Sequence, residues 1–582
     1  MSNKLIFIIN YLICFIIYEK KDLSKKIQYL KFFLGKINFI DFILFTFNRN
    51  KINPLKSFKF REFIEANNKK WINKKKSKFD QKTIIVENFI NHPSYTVTNA
   101  ITALFLNQYF NYNVTAIMRY GDLKGEIIFR SYGIEKFLYL KNPNFKKRLF
   151  YLYKAFKISK NIKTIKQFCK INYNGINIGL STYDTFIRYT GVSSLNNLNN
   201  ELIVSLADSM AMCDQIEYLL NTNKKIKISV QSETAFNPLN SFFQICLKKK
   251  IEIFARCGED YISLRRYTNW KQRHDYRYNI SQKIFNEIYA CNKRKILKLF
   301  EKIYIKNLNS KNFGIDARIK EFGNTKLKEI SKNTLIDKFK WSKKKIVVFF
   351  LNHYIDRNFH NGPRVNFQDN YTWTDYILKL IPKINNVNWI IKPHPTEFFY
   401  NSKKNHKNII KNLVTKHKNI KLFPNYLKSS SLLKIADVAL TSHGTAGIEY
   451  PAFKINSIFV DNSSYSNLNL IKMTRSKKEI VKKLMNINKM KKLTSKQVNK
   501  CRAFLVIQKE LINSKCSLIP NHVISRNINE ENFWAESLKN LKKFKYKNDI
   551  FFQMLKIQLQ YKLRHTINLK NLKIRKRQYN DY

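Results

Sequence analysis

DVALTSHGTAGIE, residues 437–449, joins an apolar strand to a polar turn and then to the start of a helix. Gly444 lets the backbone approach a ligand closely, and the N–H groups and dipole of the first helical turn favour an anion. Glu449 shares a helical face with Thr445, where it can accept ribose hydroxyls. An ordinary N-capped strand-to-helix turn is the alternative. The candidate binding residues are Ser442, His443, Gly444, Thr445 and Glu449.

A second apolar strand runs into a basic loop at residues 389–397, WIIKPHPTE. Its two prolines hold the loop extended, which places Lys392 and His394 without a further entropy cost on binding. This pair can neutralise a phosphate leaving group, and a protonated His394 can donate to it. Two strand-end loops of this kind in one sheet favour an anion site that includes Lys392, His394 and Pro395.

A third polar segment follows the first strand of this half, at residues 351–360. His353, Asp356 and His360 have a spacing that resembles a metal site, but the loop offers no clear fourth ligand. We therefore interpret the segment as a substrate-contacting loop and predict no metal.

Around these motifs the chain alternates strand, loop and helix in two stretches, which is typical of α/β domains. In the first stretch we predict strands at 83–87, 114–118 and 136–140, with a helix at 98–110. In the second we predict strands at 346–351, 387–392, 420–423, 438–441 and 455–460. The predicted fold is α/β, with two Rossmann-like domains that each contain a parallel sheet. The predicted boundaries are a helical extension at 1–80, domains at 81–325 and 340–535, and a basic helical tail at 536–582.

The formal net charge is +67, from 107 Lys and Arg against 40 Asp and Glu. The lysines are spread along the chain without a zinc-finger or RNP-like pattern, which argues against nucleic acid as the partner. Diffuse positive charge equally suits phosphate-bearing substrates or an anionic membrane. The eight cysteines form no C-x-x-C pair, so neither a zinc site nor a disulfide framework is indicated, and a reducing cytoplasm fits best.

Both ends of the sequence raise the question of a membrane. Residues 5–18 are almost wholly apolar but short for a bilayer span, so an interfacial or core helix, an anchor and a secretion signal all stay open. Residues 538–577 alternate basic and apolar side chains, which suits either a helix lying on a membrane or one packed on a domain. We predict a cytoplasmic protein in peripheral contact with the inner face of the cell membrane.

The 392–395 loop, the Ser429–Ser431 run and the 442–452 segment resemble the donor-side motifs of the capsule polysaccharide biosynthesis family. That family includes β-Kdo transferases, is similar to bacterial sialyltransferases, and more distantly resembles teichoic acid glycerophosphotransferases. The resemblance implies a GT-B architecture of two facing Rossmann-like domains, with the donor nucleotide in the C-terminal domain and the acceptor between the domains. It also implies a metal-independent, inverting reaction. The HP histidine and serine-motif hydroxyls that contact the CMP phosphate correspond to His394, Ser442 and Thr445.

One departure is Lys454-Ile-Asn-Ser, which replaces the Gly-x-Pro often found in the family and leaves the sugar nucleotide open. An inverting transfer also needs a general base, expected from the N-terminal domain. Asp184 is our first candidate, although it could form a structural ion pair with Arg188 instead. Glu233 and Glu87, both at predicted strand ends, are the alternatives.

The predicted function is therefore an inverting glycosyltransferase of bacterial capsule or lipopolysaccharide biosynthesis. Its partners are a nucleotide sugar, with CMP-linked acidic sugars such as Kdo or sialic-acid-like ones among the candidates, and a glycan or lipid-linked acceptor. No cofactor is expected. A CDP-polyol phosphotransferase of teichoic-acid type and a non-enzymatic basic protein that binds membrane or nucleic acid remain the alternatives.

Overall fold

The computed structural model describes residues 57–71, 80–90, 92–120, 122–257, 262–275, 279–305, 328–356, 358–359, 362–394, 402–403, 405–520 and 530–568. The apolar segment 5–18, the end of the basic tail, His360 and Pro395 lie outside these residues. The chain forms two compact units. The first comprises residues 1–186, 196–273 and 515–553, and the second comprises 187–195, 274–514 and 554–582.

The first unit is built on a six-stranded sheet in the order β3-β2-β1-β6-β7-β8, parallel except for β8, which is antiparallel to β7. Its strands are β1 (Asp80–Asn88), β2 (Tyr112–Arg119), β3 (Lys136–Leu140), β6 (Ile226–Gln231), β7 (Glu252–Cys257) and β8 (Ser263–Tyr267). The strands β4 (Asn172–Tyr173) and β5 (Ile176–Asn177) form a separate hairpin. The helices up to β8 are α1 (Phe58–Trp71), α2 (Pro93–Phe110), α3 (Leu123–Ser131), α4 (Phe145–Ser159), α5 (Ile165–Phe168), α6 (Ile178–Thr190), α7 (Asn200–Thr222) and α8 (Leu239–Lys248).

The second unit contains a five-stranded, fully parallel sheet in the order β11-β10-β9-β12-β13. Its strands are β9 (Ile346–Phe350), β10 (Asn388–Lys392), β11 (Ile420–Leu422), β12 (Val438–Thr441) and β13 (Asn456–Phe459). Its helices are α9 (Gln282–Phe300), α10 (Lys332–Phe339), α11 (Asn370–Leu380), α12 (Lys407–Lys416), α13 (Leu432–Ile435), α14 (Ala446–Ala452), α15 (Lys477–Met485) and α16 (Ser495–Val506). Two further helices follow, α17 (Glu530–Lys543) and α18 (Ile550–Gln560).

Both sheets have the strand order of a doubly wound fold, so the predicted pair of Rossmann-like α/β domains is confirmed. Their central strands are apolar runs covered on both faces, as parallel strands require. In the second unit, Trp373 and Trp389 fill the core on one face of the sheet, and Phe423 and Trp341 belong to the core on the other. The strand order reverses between β9 and β12, and ligands of such sheets bind at the carboxyl ends of the strands at this reversal.

The end of the predicted C-terminal domain and the start of the predicted tail belong to the first unit. Trp534 of α17 packs against Phe60 and Phe63 of α1, with ring centroids 4.8 and 5.0 Å apart. Residues 515–553 therefore cluster with the first unit, whereas the sequence assigned them to the C-terminal domain and the tail. Among the helices that the structure describes, none has the length and apolar character needed to cross a bilayer.

Candidate functional site

Three neighbouring strands of the second sheet each end close to a histidine. His353 follows β9, His394 follows β10 and His443 follows β12, all at the carboxyl edge of the same parallel sheet. The rings of His353 and His394 meet edge to face with centroids 5.7 Å apart. The structure thus brings the Lys-Pro-His-Pro loop and the loop after β9 together. We call these three residues, with Thr445 and Ala446, the histidine edge.

The turn after β12 is fixed to the end of β9. The side-chain oxygen of Asn352 accepts a hydrogen bond from the backbone N–H of Ser442 at 3.2 Å. The N–H of Gly444 donates to the hydroxyl of Thr441 at 3.3 Å, and a Cβ at position 444 would stand only 2.8 Å from that oxygen. Glycine is required here because the backbone approaches Thr441 so closely.

Arg364 organises the same turn, and the sequence interpretation missed it. Its Nη2 pairs with Asp461 at 2.9 Å and donates to the hydroxyl of Ser442 at 2.6 Å. Its Nη1 donates to Nδ1 of His443 at 2.8 Å and to Asn370 at 2.6 Å. The side chains of Arg364 and Asp461 are 4% and 1% exposed, so this is a buried ion pair at the strand reversal. The only signal in the sequence was the position of Asp461, a carboxylate just after β13.

These contacts determine which ring nitrogen of two histidines carries the proton. A guanidinium only donates, so Nδ1 of His443 accepts from Arg364 and the proton of the neutral ring lies on Nε2. The backbone N–H of Ile355 donates to Nδ1 of His353 at 3.2 Å, which selects the same tautomer. Both imidazoles therefore carry the proton of the neutral ring on Nε2, and Nε2 of His353 is buried.

The Ser442 side chain is buried and bonded to protein groups, whereas a phosphate ligand is expected to be open to the solvent. Its side chain is fully buried, and its hydroxyl donates to Asp461 at 3.1 Å while accepting from Arg364. Thr445, by contrast, is exposed at the start of α14. Within the part of the chain that the structure describes, the N–H groups of Thr445 and Ala446 have no hydrogen-bond acceptor. These backbone donors resemble the predicted anion cradle more than the Ser442 hydroxyl does.

The other predicted binding residues lie around this turn. Lys392 is half-buried, with its ammonium 5.0 Å from the centre of the Phe423 ring. Glu449 is half-buried in α14, and its N–H donates to the carbonyl of Thr445 at 2.8 Å. Ser431, from the serine run, accepts a hydrogen bond from the N–H of Ile330 at 3.3 Å.

Asp184, the first candidate for the general base, is buried in α6 at 2% exposure. The possible partner considered from the sequence, Arg188, forms an ion pair of 3.0 Å with Asp356. That pair also gives Asp356 a role other than metal ligation. No group of three or more metal-ligating side chains occurs among the described residues, and His360 lies outside them.

The two alternative bases lie at the strand reversal of the first sheet. Glu87, in β1, accepts hydrogen bonds from the N–H groups of Ser232 and Phe89, the latter at 2.7 Å. Burial raises the pKa of Glu87. Glu233, just after β6, is 5% exposed and accepts from the N–H of Thr234 at 3.0 Å. Glu87 thus ties the ends of β1 and β6 together through backbone donors.

A buried histidine supports the loop that carries His353. His406 forms a hydrogen bond of 2.9 Å between its Nδ1 and the hydroxyl of Tyr354, and its ring stacks on Tyr371 at 4.2 Å. Its Nε2 lies 3.8 Å from a carboxylate oxygen of Asp375. Burial lowers the pKa of His406 from 6.5 to about 4, so the ring is neutral near pH 7.

This lowered pKa predicts acid sensitivity of the second unit. Between pH 6.5 and about pH 4 the unfolded chain binds a proton at His406 that the folded chain does not, so stability falls as the pH falls. The expected loss is about 3 kcal/mol over this range. His406→Gln should remove that part of the pH dependence in urea titrations followed by fluorescence. Parallel stability curves for the wild type and the variant would contradict the prediction.

No known protein family and no curated protein matches the chain. Among solved structures, similarity was found to the β-Kdo 2,7 transferase KpsC of Thermosulfurimonas dismutans (14% identity, 57% of this chain, 89% of that chain, TM-score 0.28). It was also found to a glycosyltransferase of Rickettsia africae (10% identity, 80% and 97% of the chains, TM-score 0.26). UDP-GlcNAc 2-epimerase of Neisseria meningitidis is similar too (10% identity, 80% and 100% of the chains, TM-score 0.22). Likenesses this weak assign no activity.

Proposed function

We propose that this chain is a metal-independent, inverting glycosyltransferase that transfers a sugar from a nucleotide donor to a growing surface glycan on the cytoplasmic side of the membrane. The observation that carries the proposal is the histidine edge. At the strand reversal of a doubly wound sheet, two imidazoles with assigned Nε2–H donors and two open backbone N–H groups occur together. Such a set of donors suits the phosphate of a nucleotide.

The donors in this site act on charge that develops during transfer. When the bond between the anomeric carbon and the phosphate oxygen breaks, negative charge grows on the phosphate, and fixed N–H groups stabilise it without reorganisation. His353 and His443 supply neutral donors, and His394 in its protonated form supplies a charged one. Arg364 is balanced by Asp461, so its role is to orient His443 and Ser442. Glu449 remains our candidate for the ribose hydroxyls.

The acceptor must lose a proton as its oxygen attacks the anomeric carbon from the side opposite the phosphate. Asp184 and Glu233 are the candidates to receive that proton. Glu87 suits the role less well because its carboxylate is occupied by the N–H groups of Ser232 and Phe89. The reaction is balanced by proton transfer to the base and departure of the nucleotide.

The test is nucleotide binding followed by transfer. We expect one of CMP, CDP, UDP or GDP to raise the melting temperature of the purified protein, and His443→Ala to weaken that nucleotide's binding by about tenfold or more. His417→Ala, a half-buried histidine at the end of α12, is the matched control. A labelled donor panel then identifies the transferred group, and transfer of phosphorus with a polyol would instead show a CDP-polyol phosphotransferase. Absence of any nucleotide effect would refute the proposal.

A further inference from the structure

Helix α4, in the first unit, packs along one side on α7, its main contact among the described helices and strands. Ala155 and Ser159 are its buried residues, and it packs on α7. Tyr151 donates a hydrogen bond of 2.8 Å to Asp214 of α7, and Leu152 lines a small cavity shared with that helix. The packing side of α4 is therefore defined by residues 151, 152, 155 and 159.

The opposite side of α4 carries exposed aromatic rings between lysines. Lys146, Phe150, Tyr153 and Lys157 follow one another at spacings of four, three and four residues, which places them in one line along a helix. Phe150 is 55% exposed and Tyr153 is 42% exposed, and both lysines are exposed. Phe145, in the first turn, is 48% exposed. Adjacent exposed apolar rings of this kind mark an interaction surface.

The charge of the helix has a single sign. Residues 145–160 contain no Asp or Glu, and their cations are Lys146, Lys147, Arg148, Lys154, Lys157 and Lys160. Lys154 donates to the hydroxyl of Tyr173 at 2.9 Å, whereas Lys146 and Lys157 lie on the outer line. A partner for this surface must accept aromatic rings and supply negative charge at both ends of the line.

We propose that the line Lys146, Phe150, Tyr153 and Lys157 of α4 is the surface by which this protein lies on an anionic lipid bilayer. The aromatic rings enter the headgroup layer and the lysines contact lipid phosphates. A bilayer fits better than nucleic acid because the line lies on a single helix and its cations are lysines, which lack the planar fork of arginine that reads bases. This surface is independent of the histidine edge.

The experiment is flotation of the full chain with vesicles that contain phosphatidylglycerol, compared with vesicles of phosphatidylcholine alone. We expect binding to the anionic vesicles that weakens as salt is raised. Phe150→Ser with Tyr153→Ser, and separately Lys146→Glu with Lys157→Glu, should each reduce the bound fraction by about tenfold or more.

Matched controls separate this surface from general basicity. Tyr218→Ser removes an aromatic ring that is 66% exposed on α7, and Lys224→Glu with Lys227→Glu changes the net charge as much as the α4 lysine pair does. Both controls should bind vesicles like the wild type. Equal losses in the control and α4 variants, or unchanged vesicle binding by the α4 variants, would overturn the proposal. Salt-sensitive binding of duplex DNA that depends on the α4 line while vesicle binding does not would also overturn it.

Discussion

Arg364→Ala should destabilise the second unit by about 3–5 kcal/mol and abolish nucleotide binding. The guanidinium is almost fully buried and bonds Asp461, Ser442, His443 and Asn370. Its removal leaves the carboxylate of Asp461 buried without its cation, which costs far more than the loss of an exposed ion pair. His443 also loses the donor that selects its tautomer, so the stability effect and the binding effect have one origin.

Two further variants separate the effect of the unpaired buried charge on stability from the effect of His443 orientation on nucleotide binding. Arg364→Met combined with Asp461→Leu removes both charges and should recover most of the stability but not the nucleotide binding, because His443 stays without its donor. Arg475→Ala, at an exposed arginine of the same unit, should change neither quantity. Urea denaturation and nucleotide titration measure the two effects. A single Arg364 variant that is as stable as the wild type would show that the ion pair does not hold the turn.

His394→Ala should reduce the transfer rate by about 10²–10⁴-fold while changing the free energy of unfolding by less than about 0.5 kcal/mol. His394 is half-buried at the end of β10 and meets His353 edge to face, so little of the core depends on it. We expect the transfer rate to fall because the leaving phosphate no longer receives a hydrogen bond from a charged donor. Initial rates with a saturating donor, compared with His417→Ala, measure the effect. Undiminished transfer by His394→Ala would remove this residue from the mechanism.

Much of the fold was predictable because the strands are short apolar runs with abrupt polar ends. The predicted strands at 136–140 and 438–441 match β3 and β12, and the prediction of 387–392 differs from β10 by one residue. For the buried strands β10 and β12 such runs need no tertiary information, since burial on both faces demands continuous apolar sequence. The placement of His394 and His443 at one sheet edge followed from the same pattern.

The ion pair and the side-chain hydrogen bonds within the candidate site were not predictable in this way. Arg364 and Asp461 are far apart in sequence, and neither has a sequence context that distinguishes it from an ordinary loop residue. Ser442 was expected to face a phosphate, but its hydroxyl bonds Asp461 and Arg364, because the adjoining loops bring those charges beneath the turn. A side chain that can donate and accept in either direction takes its role from its neighbours.

Sequence-based prediction has the same limit for amphipathic helices, because tertiary contacts decide which of their sides are covered. Residues 538–577 suited either a helix lying on a membrane or one packed on a domain, and Phe544 and Phe552 of this segment are buried. Helix α4, which the sequence did not single out, leaves Phe150 and Tyr153 exposed. Periodicity reports that a helix has an apolar side, but not whether protein covers it.

The position of α17 has a consequence for how the protein is made. Trp534 packs against Phe60 and Phe63, so the first unit cannot complete its core until the ribosome has synthesised residues 530–543, long after residue 273. During that delay its nascent apolar surface is open to chaperones or to aggregation. A recombinant fragment that stops after residue 273 would have the same defect permanently, and adding residues 530–543 as a separate peptide should improve its solubility.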